Sequence, residues 1–281
     1  MVDLNITLPA GFLEEEVRCG YTVSKQMKEV WAVELDLLNR FLQACDKYGL
    51  KCYADAGTLM GAARHKGFIP WDDDIDLVMF RGDYNRMIEI AKEGEFEAPY
   101  FFQTVYTDKG YPRGHAQFRN SQTTGILKGE YELKRPFNQG IFIDVFVLDG
   151  VPSSQFMLSI TRRLHWLLRG KKFFYHCSWP LFKFCFWLQE LCLRLNSVSR
   201  CKKAAPLGFI FETEKRIRDK SIYDETIYLP FESLSIPAPY RYGEFLTHRF
   251  GDWKTPCHVP TTHGGCIFDA GKAYTEYIFE K

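Results

Sequence analysis

The sequence predicts an α/β protein, because segments with a helical pattern alternate with short apolar segments that are typical of strands. A long amphipathic helix is expected over residues 24–48. A strand, a short helix and a second strand follow it within residues 51–80. The segment 140–147 is the most apolar and β-branched of the strand candidates, so it is expected at the centre of the sheet.

The first helix has clear start and stop signals. Ser24 is a candidate N-cap and Gly49 a candidate stop. Apolar residues recur between them at steps of three and four: Val30, Val33, Leu37, Leu38, Phe41, Leu42 and Cys45.

The next elements follow in short succession. We expect a strand at 51–55, a turn at Ala56-Gly57-Thr58, a helix at 59–64, a loop at 65–70 and a strand at 74–80. A helix capped by Asp83 is then expected over 83–92, with further strands at 100–105, 115–119 and 140–147.

The character of the chain changes after residue 152. Residues 155–203 have a helical and aromatic pattern, with ten Lys and Arg against the single acid Glu190. Five prolines interrupt the last sixty residues, which are expected to be irregular. We therefore predict a catalytic core with its N-terminal helix over 1–152, and a helical basic and aromatic region with a C-terminal block packed on that core over 153–281.

Composition narrows the functional classes. The net charge of +1 gives no reason to expect a nucleic-acid partner. The nine cysteines are odd in number and include no CxxC pair, which favours a reducing compartment. The N-terminus lacks a signal-peptide pattern, and the chain has no run of 18 apolar residues. We therefore expect a cytoplasmic protein.

The strongest chemical signal is the acidic segment WDDDID, residues 71–76. If residues 74–78 form a strand, Asp74 and Asp76 point to the same face. Neighbouring carboxylates repel each other unless a cation lies between them, and hard oxygen ligands suit Mg²⁺ or Mn²⁺. The alternative is an acidic turn or a helix N-cap cluster.

Three further features fit a metal-dependent reaction of phosphate. Gly57-Thr58 opens a helix after a strand, where backbone N–H groups can meet a phosphate. Asp144 lies inside an apolar strand, where a shared metal would neutralise it; a strand-end carboxylate paired with an Arg is the alternative. Arg64 and Lys66 are candidate clamps for the donor phosphates, or else part of a solvated basic loop.

Three segments resemble the LicD family, which belongs to the nucleotidyltransferase superfamily and includes fukutin-related proteins. They are GTLMGAARHKGFIPWDDDIDLVMFRGDY, GIFIDVFVLDGVP and IPAPYRYGEFLTHRFGDWKTP. The region between 155 and 220 departs most from the family pattern.

The resemblance implies a nucleotidyltransferase-like mixed sheet with flanking helices and a helical C-terminal extension. It implies that Asp74, Asp76 and Asp144 are catalytic metal ligands for Mg²⁺ or Mn²⁺, and that Gly57-Thr58 corresponds to the Gly-Ser turn of the superfamily. The implied reaction moves phosphocholine, or a similar phospho-alcohol, from CDP-choline or another CDP-alcohol to a hydroxyl of a glycan or lipid-linked glycan at the cell surface.

Two surface features bear on the substrates. A choline group would need aromatic walls, and Trp71 beside the acidic segment is a candidate or else a packing residue. Residues 155–203 suit peripheral contact with the inner face of a membrane, or they pack on the core. The aromatic residues considered for that contact are Trp166, Phe173, Phe174, Trp179, Phe182, Phe186 and Trp187.

Other functions remain open. A nucleotide-sugar glycosyltransferase also uses an Asp-x-Asp metal motif, but it does not need Gly57-Thr58 or Asp144. A binding module that has lost catalysis is a second alternative. A zinc site from Cys257, His258, His263 and Cys266 would have a spacing that matches no common structural pattern.

Overall fold

The computed structural model describes residues 1–131, 133, 135–169, 178–194, 198–208, 214–258 and 265–279. Within this part of the chain the fold is α/β, as predicted: a mixed sheet is flanked by several helices. The described helices are α1 (Lys25–Tyr48), α2 (Ala56–His65), α3 (Arg81–Lys92), α4 (Lys128–Tyr131), α5 (Gln155–Arg169), α6 (Trp179–Arg194), α7 (Tyr242–Phe250) and α8 (Tyr274–Phe279).

The strands are β1 (Glu16–Arg18), β2 (Tyr21–Val23), β3 (Cys52–Ala54), β4 (Asp76–Phe80), β5 (Tyr100–Gln103), β6 (Ala116–Asn120), β7 (Thr124–Leu127), β8 (Ile141–Val151), β9 (Lys203–Ala205), β10 (Arg218–Asp219), β11 (Thr226–Phe231), β12 (Leu234–Pro239) and β13 (Cys266–Asp269). Short 3₁₀ turns link several of them.

The eleven-residue strand β8 is the centre of the main sheet, as its composition predicts. It is buried along its whole length. It pairs in parallel with β4 on one side and antiparallel with β6 on the other. Strands β3 and β5 extend the two sides, and β9 and β10 continue the sheet beside the end of β8. One parallel pair among antiparallel ones makes the sheet mixed.

The predicted caps of α1 are confirmed. Ser24 accepts a hydrogen bond from the backbone N–H of Met27, and Gly49 ends the helix with φ +65°. The inner face of the helix packs in the main core through residues such as Leu38 and Phe41, which are fully buried. Trp31 on this helix donates to the backbone carbonyl of Asp72 at 3.0 Å and so holds the acidic loop against the sheet.

Several predicted boundaries are wrong. Helix α2 begins at Ala56, so the predicted turn at residues 56–58 is part of the helix. Helix α3 begins at Arg81, with Phe80 rather than Asp83 in the N-cap position. The Arg81 guanidinium donates to Asp149 and Glu190. These contacts hold Arg81 in the first turn of α3, two residues before the predicted start of the helix. Strand β4 begins at Asp76, so the expected strand 74–80 is two residues too long.

The last sixty residues are more regular than the prolines suggest. Strands β11 and β12 form a hairpin, and α7 follows it. Pro230, Pro237 and Pro239 lie in this two-stranded hairpin, where a residue without an N–H is tolerated on the unpaired side. Residues 203–205 form a strand instead of continuing the predicted helical stretch. The domain boundary at 152 stays a prediction.

Candidate active site

Two of the predicted site residues lie side by side on the central strands. Asp76 is the first residue of β4, and its register partner on β8 is Asp144. The backbone N–H of Asp144 donates to the carbonyl of Ile75 at 2.8 Å, which ties the start of β4 to β8. Residues opposite each other on adjacent parallel strands project to the same face, so the two carboxylates meet.

Asp74 joins them from the loop that precedes β4. Its carboxylate comes together with those of Asp76 and Asp144, with one oxygen from each within 4.8 Å of the others. Alternation along a strand does not explain the position of Asp74, because this residue lies before the strand. The end of this loop is held in place by a hydrogen bond that the backbone N–H of Asp76 donates to the hydroxyl of Thr58 at 2.7 Å.

The three carboxylates place strong negative charge in a poorly solvated position. Burial raises the pKa of Asp76 well above its usual value, and the neighbouring charges of Asp74, Asp144 and Asp55 raise it further. A buried carboxylate with like charges around it is stabilised by a proton or by a cation. Asp144 Oδ1 is buried and lies 3.2 Å from His115 Nε2. The donor set, all carboxylate oxygens, fits Mg²⁺ or Mn²⁺.

Strand β6 supplies supporting residues that the sequence analysis missed. His115 Nε2 lies 3.2 Å from Asp144 Oδ1, and Gln117 is the register partner of Asp144 on β6. Burial raises the pKa of Asp144, but His115, Gln117 and Arg113 outweigh it and hold the pKa below its usual value. Asp144 is therefore ionised at neutral pH. Only the pairing of β6 with β8, which is not visible in the local pattern, could have identified these partners.

Gly57 and Thr58 lie in the first turn of α2, beside the acidic loop. A Cβ on Gly57 would come within 2.4 Å of Asp72 Oδ2, so only glycine allows the carboxylate to approach this backbone. The Thr58 hydroxyl is buried and holds the backbone of Asp76. Both residues therefore shape the acidic loop, and their contact with substrate stays a prediction.

The other two predicted phosphate-binding residues lie at the C-terminal end of α2. Arg64 Nη1 donates to the carbonyl of Trp253 at 2.6 Å, and its Nε donates to His65 Nε2 at 2.8 Å. Arg64 thus holds the segment after α7 against α2. Lys66 is exposed and ends α2 with φ +58°. A role for either side chain in binding phosphate stays a prediction.

Glu34 on α1 is a further acid at this site that sequence analysis missed. Its side chain is 1% exposed, and Oε2 has no hydrogen-bond partner among the described residues. Burial raises its pKa well above the usual value, and the charges of Asp74, Asp73 and Asp72 raise it further. The buried carboxyl group of Glu34 is therefore close enough to the acidic loop to feel its charges. Its position in the helical pattern is that of an ordinary polar residue.

The alternative zinc site finds no support within the described residues. Cys266 lies in β13, which pairs with β7, and neither it nor Cys257 or His258 belongs to a group of three described ligands that come together. His263 lies outside the described residues. None of the described helices has both the length and the apolar character that a membrane span requires.

A mixed sheet whose two central parallel strands and adjoining loop gather three carboxylates defines an α/β protein with a candidate divalent-metal site. A family model described as LicD/FKTN/FKRP, nucleotidyltransferase domain, matches residues 49–137, which include Gly57 to Asp76 but not Asp144. The chain is 27% identical to the lipopolysaccharide cholinephosphotransferase LicD of Haemophilus influenzae over 81% of this chain and 91% of that protein. Together the two matches support a place for this chain in the LicD family.

Two shorter matches have no described function. An uncharacterized protein of Rickettsia prowazekii is 38% identical over 22% of this chain and 20% of its own length. An uncharacterized protein of Rickettsia typhi is 46% identical over 13% of this chain and 12% of its own length. These matches add no functional information.

Proposed function

We propose that this chain is a metal-dependent transferase that moves phosphocholine, or a similar phospho-alcohol, from a CDP-activated donor to a hydroxyl of a glycan. The observation that carries the proposal is the convergence of Asp74, Asp76 and Asp144. The cholinephosphotransferase of H. influenzae supports the choice of transferred group, since the similarity extends over most of both chains.

Asp74, Asp76 and Asp144 would hold Mg²⁺ or Mn²⁺, which supplies positive charge to the donor diphosphate and the leaving group. An oxygen of the acceptor hydroxyl forms a bond to phosphorus, the bond from phosphorus to the CMP oxygen breaks, and the hydroxyl proton must pass to a base. Asp144 is our candidate for that base because its carboxylate lies in the proposed metal site. The protein would contribute mainly positioning and charge stabilisation.

Aromatic side chains near the acidic loop support a choline donor. The ring centroid of Trp71 lies 6.0 Å from that of Tyr21 and 5.2 Å from that of His258, and Trp71 directly precedes Asp72. A quaternary ammonium group binds well to aromatic faces, and nearby carboxylates attract its charge. These rings are our candidates for the choline contact.

We also propose that the protein works at the cytoplasmic surface of a membrane that carries a lipid-linked acceptor. Every cysteine described in the structure is a free thiol, which suits a reducing compartment. The outer face of α6 exposes four large apolar side chains: Leu181 (39%), Phe184 (53%), Trp187 (45%) and Leu191 (42%). Of the aromatic residues expected at an interface, Phe182 and Phe186 are instead buried, and the side chains of Trp166, Phe173 and Phe174 lie outside the described residues.

The orientation of α6 supports this surface contact. Its acid Glu190 accepts from Arg81 Nη1 at 2.6 Å, and Arg81 also donates twice to Asp149 on β8. This buried network fixes the inner face of the helix against the core, so the exposed stripe is turned outward. Ten Lys and Arg within residues 155–203 would favour an anionic lipid surface.

The test is release of CMP from a panel of donors with Mg²⁺ or Mn²⁺, repeated with EDTA. The panel contains CDP-choline, CDP-ethanolamine, CDP-ribitol, CDP-glycerol and UDP-sugars. We expect metal-dependent CMP release from CDP-choline or another CDP-alcohol. Turnover of a UDP-sugar alone would instead establish the glycosyltransferase alternative.

A further inference from the structure

A cluster of arginines lies on the side of the acidic site formed by the C-terminal half of the chain. Asp55, just before α2, is its central anion, and the backbone N–H of Asp55 donates to the carbonyl of Asp76 at 2.9 Å. Arg218 on β10 and Arg249 on α7 both reach the carboxylate of Asp55. Asp55 in this cluster is therefore in direct contact with Asp76, a proposed metal ligand.

Arg218 has a structural role, because its guanidinium contacts several groups within the protein. It lies 2.5 Å and 3.3 Å from the two carboxylate oxygens of Asp55, donates to the Tyr223 hydroxyl at 2.9 Å and stacks 3.9 Å from the centre of the Phe245 ring. Its side chain is 2% exposed. These contacts use both terminal nitrogens and one face of the guanidinium.

Arg249 has a different environment. Within the described part of the chain its polar side-chain contact is to Asp55 Oδ2 at 3.4 Å, longer than an ordinary charged hydrogen bond. Its side chain is 12% exposed and is held in place by the ring of Phe250, whose centre lies 4.8 Å away. A guanidinium has five N–H donors, so Arg249 keeps donors for a ligand.

The charges of the cluster act on the proposed metal site. Arg249 lowers the pKa of Asp76, against the stronger effects of burial and of the other carboxylates. Arg216, on the same side, also interacts with Asp76 and Asp55, although burial and Arg249 lower its own pKa. Asp55 forms ion pairs with two arginines, Arg218 and Arg249. Once a cation neutralises Asp76, Arg249 is balanced by less negative charge and can attract an anion at this position.

We propose that Arg249 binds the diphosphate of the nucleotide donor beside the three metal-binding carboxylates. The planar guanidinium suits phosphate oxygens, and Asp55 with Phe250 fixes its direction. The inference rests on the proposed function, because it assigns a contact to that donor.

The experiment measures the binding of CDP and of UDP to the full chain in Mg²⁺ by isothermal titration calorimetry. The variants are Arg249→Gln, Arg249→Lys and Arg241→Gln. Arg241 is the matched control, because it lies at the other end of α7 and is exposed, and its guanidinium bonds to Glu244 on the surface.

We expect Arg249→Gln to raise the Kd of the bound diphosphate about tenfold, as for the loss of one charge-assisted contact. Arg249→Lys should restore part of the affinity, and Arg241→Gln should leave it unchanged. Unchanged affinity in Arg249→Gln would overturn the inference. The inference would also be overturned if Arg249→Gln and Arg249→Lys lost affinity to the same extent and both had the same lowered melting temperature. If the protein bound UDP rather than CDP, the proposed cytidine donor would be refuted. If Arg249→Gln weakened that binding of UDP, the contact between Arg249 and the diphosphate would still be supported.

Discussion

At the scale of single residues, the site is governed by carboxyl groups that cannot all be charged without a partner. Asp74, Asp76 and Asp144 meet at the start of β4, and the charges of Asp72, Asp73 and Asp74 act on the buried carboxyl group of Glu34. His115 and Gln117 stabilise the charge of Asp144, whereas Glu34 Oε2 has no hydrogen-bond partner among the described residues. The charged form of Asp144 is therefore stabilised by its neighbours, whereas the carboxyl group of Glu34 would be stabilised by a proton.

Glu34 gives a pH-dependent prediction for the metal-free protein. Because folding raises its pKa, the folded state binds this proton more tightly than the unfolded state, and stability is lost as the pH rises above about 4.3 toward the folded pKa. Glu34→Gln has the same shape and no charge. It should stabilise the protein more at pH 8 than at pH 5, by about 1.4 kcal/mol for each unit of raised pKa within that window.

Thermal unfolding in EDTA at the two pH values measures this effect. Glu29→Gln is the control, because Glu29 lies on the same helix but is partly exposed. The burial of an ionisable Glu34 would be contradicted if Glu34→Gln changed the melting temperature equally at both pH values or lowered it at pH 8.

At the scale of elements, the joint between α2 and β4 determines where the acidic loop ends. The Thr58 hydroxyl accepts the backbone N–H of Asp76, and the side chain is 3% exposed. Thr58→Val keeps the shape and leaves this N–H without its partner, which should cost about 1–3 kcal/mol. Thr58→Ser keeps the hydroxyl and should cost less than Thr58→Val. Urea unfolding of the two variants measures the difference, and equal stability would show that the hydrogen bond is unimportant.

Helix α6 carries the prediction about membranes. Replacing both Phe184 and Trp187 with Gln removes two exposed rings that stack on each other at 5.9 Å, so the fold should be unaffected. Burial of one large apolar side chain contributes roughly 1.5–3 kcal/mol. Co-sedimentation with phosphatidylglycerol and phosphatidylethanolamine vesicles should therefore fall by at least about tenfold.

The control for this measurement is Tyr228→Gln, because Tyr228 is 65% exposed on the separate β11–β12 hairpin. It should bind vesicles as the unchanged protein does. Equal vesicle binding by the Phe184 and Trp187 variant, or no binding by the unchanged protein, would rule out α6 as a membrane surface.

At the scale of the whole molecule, local sequence patterns predicted helices and strands but not which of them lie next to one another. The apolar period and the caps identified α1, and the run of Val, Ile and Phe identified β8 as central. The hairpin β11–β12 was missed because its prolines are tolerated only through their position in the pairing.

The same limit applies to the site. Asp74, Asp76 and Asp144 could be selected from residue type and from the family resemblance, and the structure brings them together. Glu34, His115 and Arg249 could not, because each reaches the site through packing between segments far apart in the chain. Their side chains come from α1, from the residue before β6 and from α7.

The most direct test of the central claim is the rate of CMP release from CDP-choline as a function of Mn²⁺ concentration. The unchanged protein is compared with Asp76→Asn and with Asp224→Asn, a control at an exposed aspartate. We predict saturable activation by the metal, a loss on the order of a thousandfold in Asp76→Asn, and no change in Asp224→Asn. Release that persists in EDTA, or that Asp76→Asn retains, would contradict the assignment of these carboxylates to a catalytic metal.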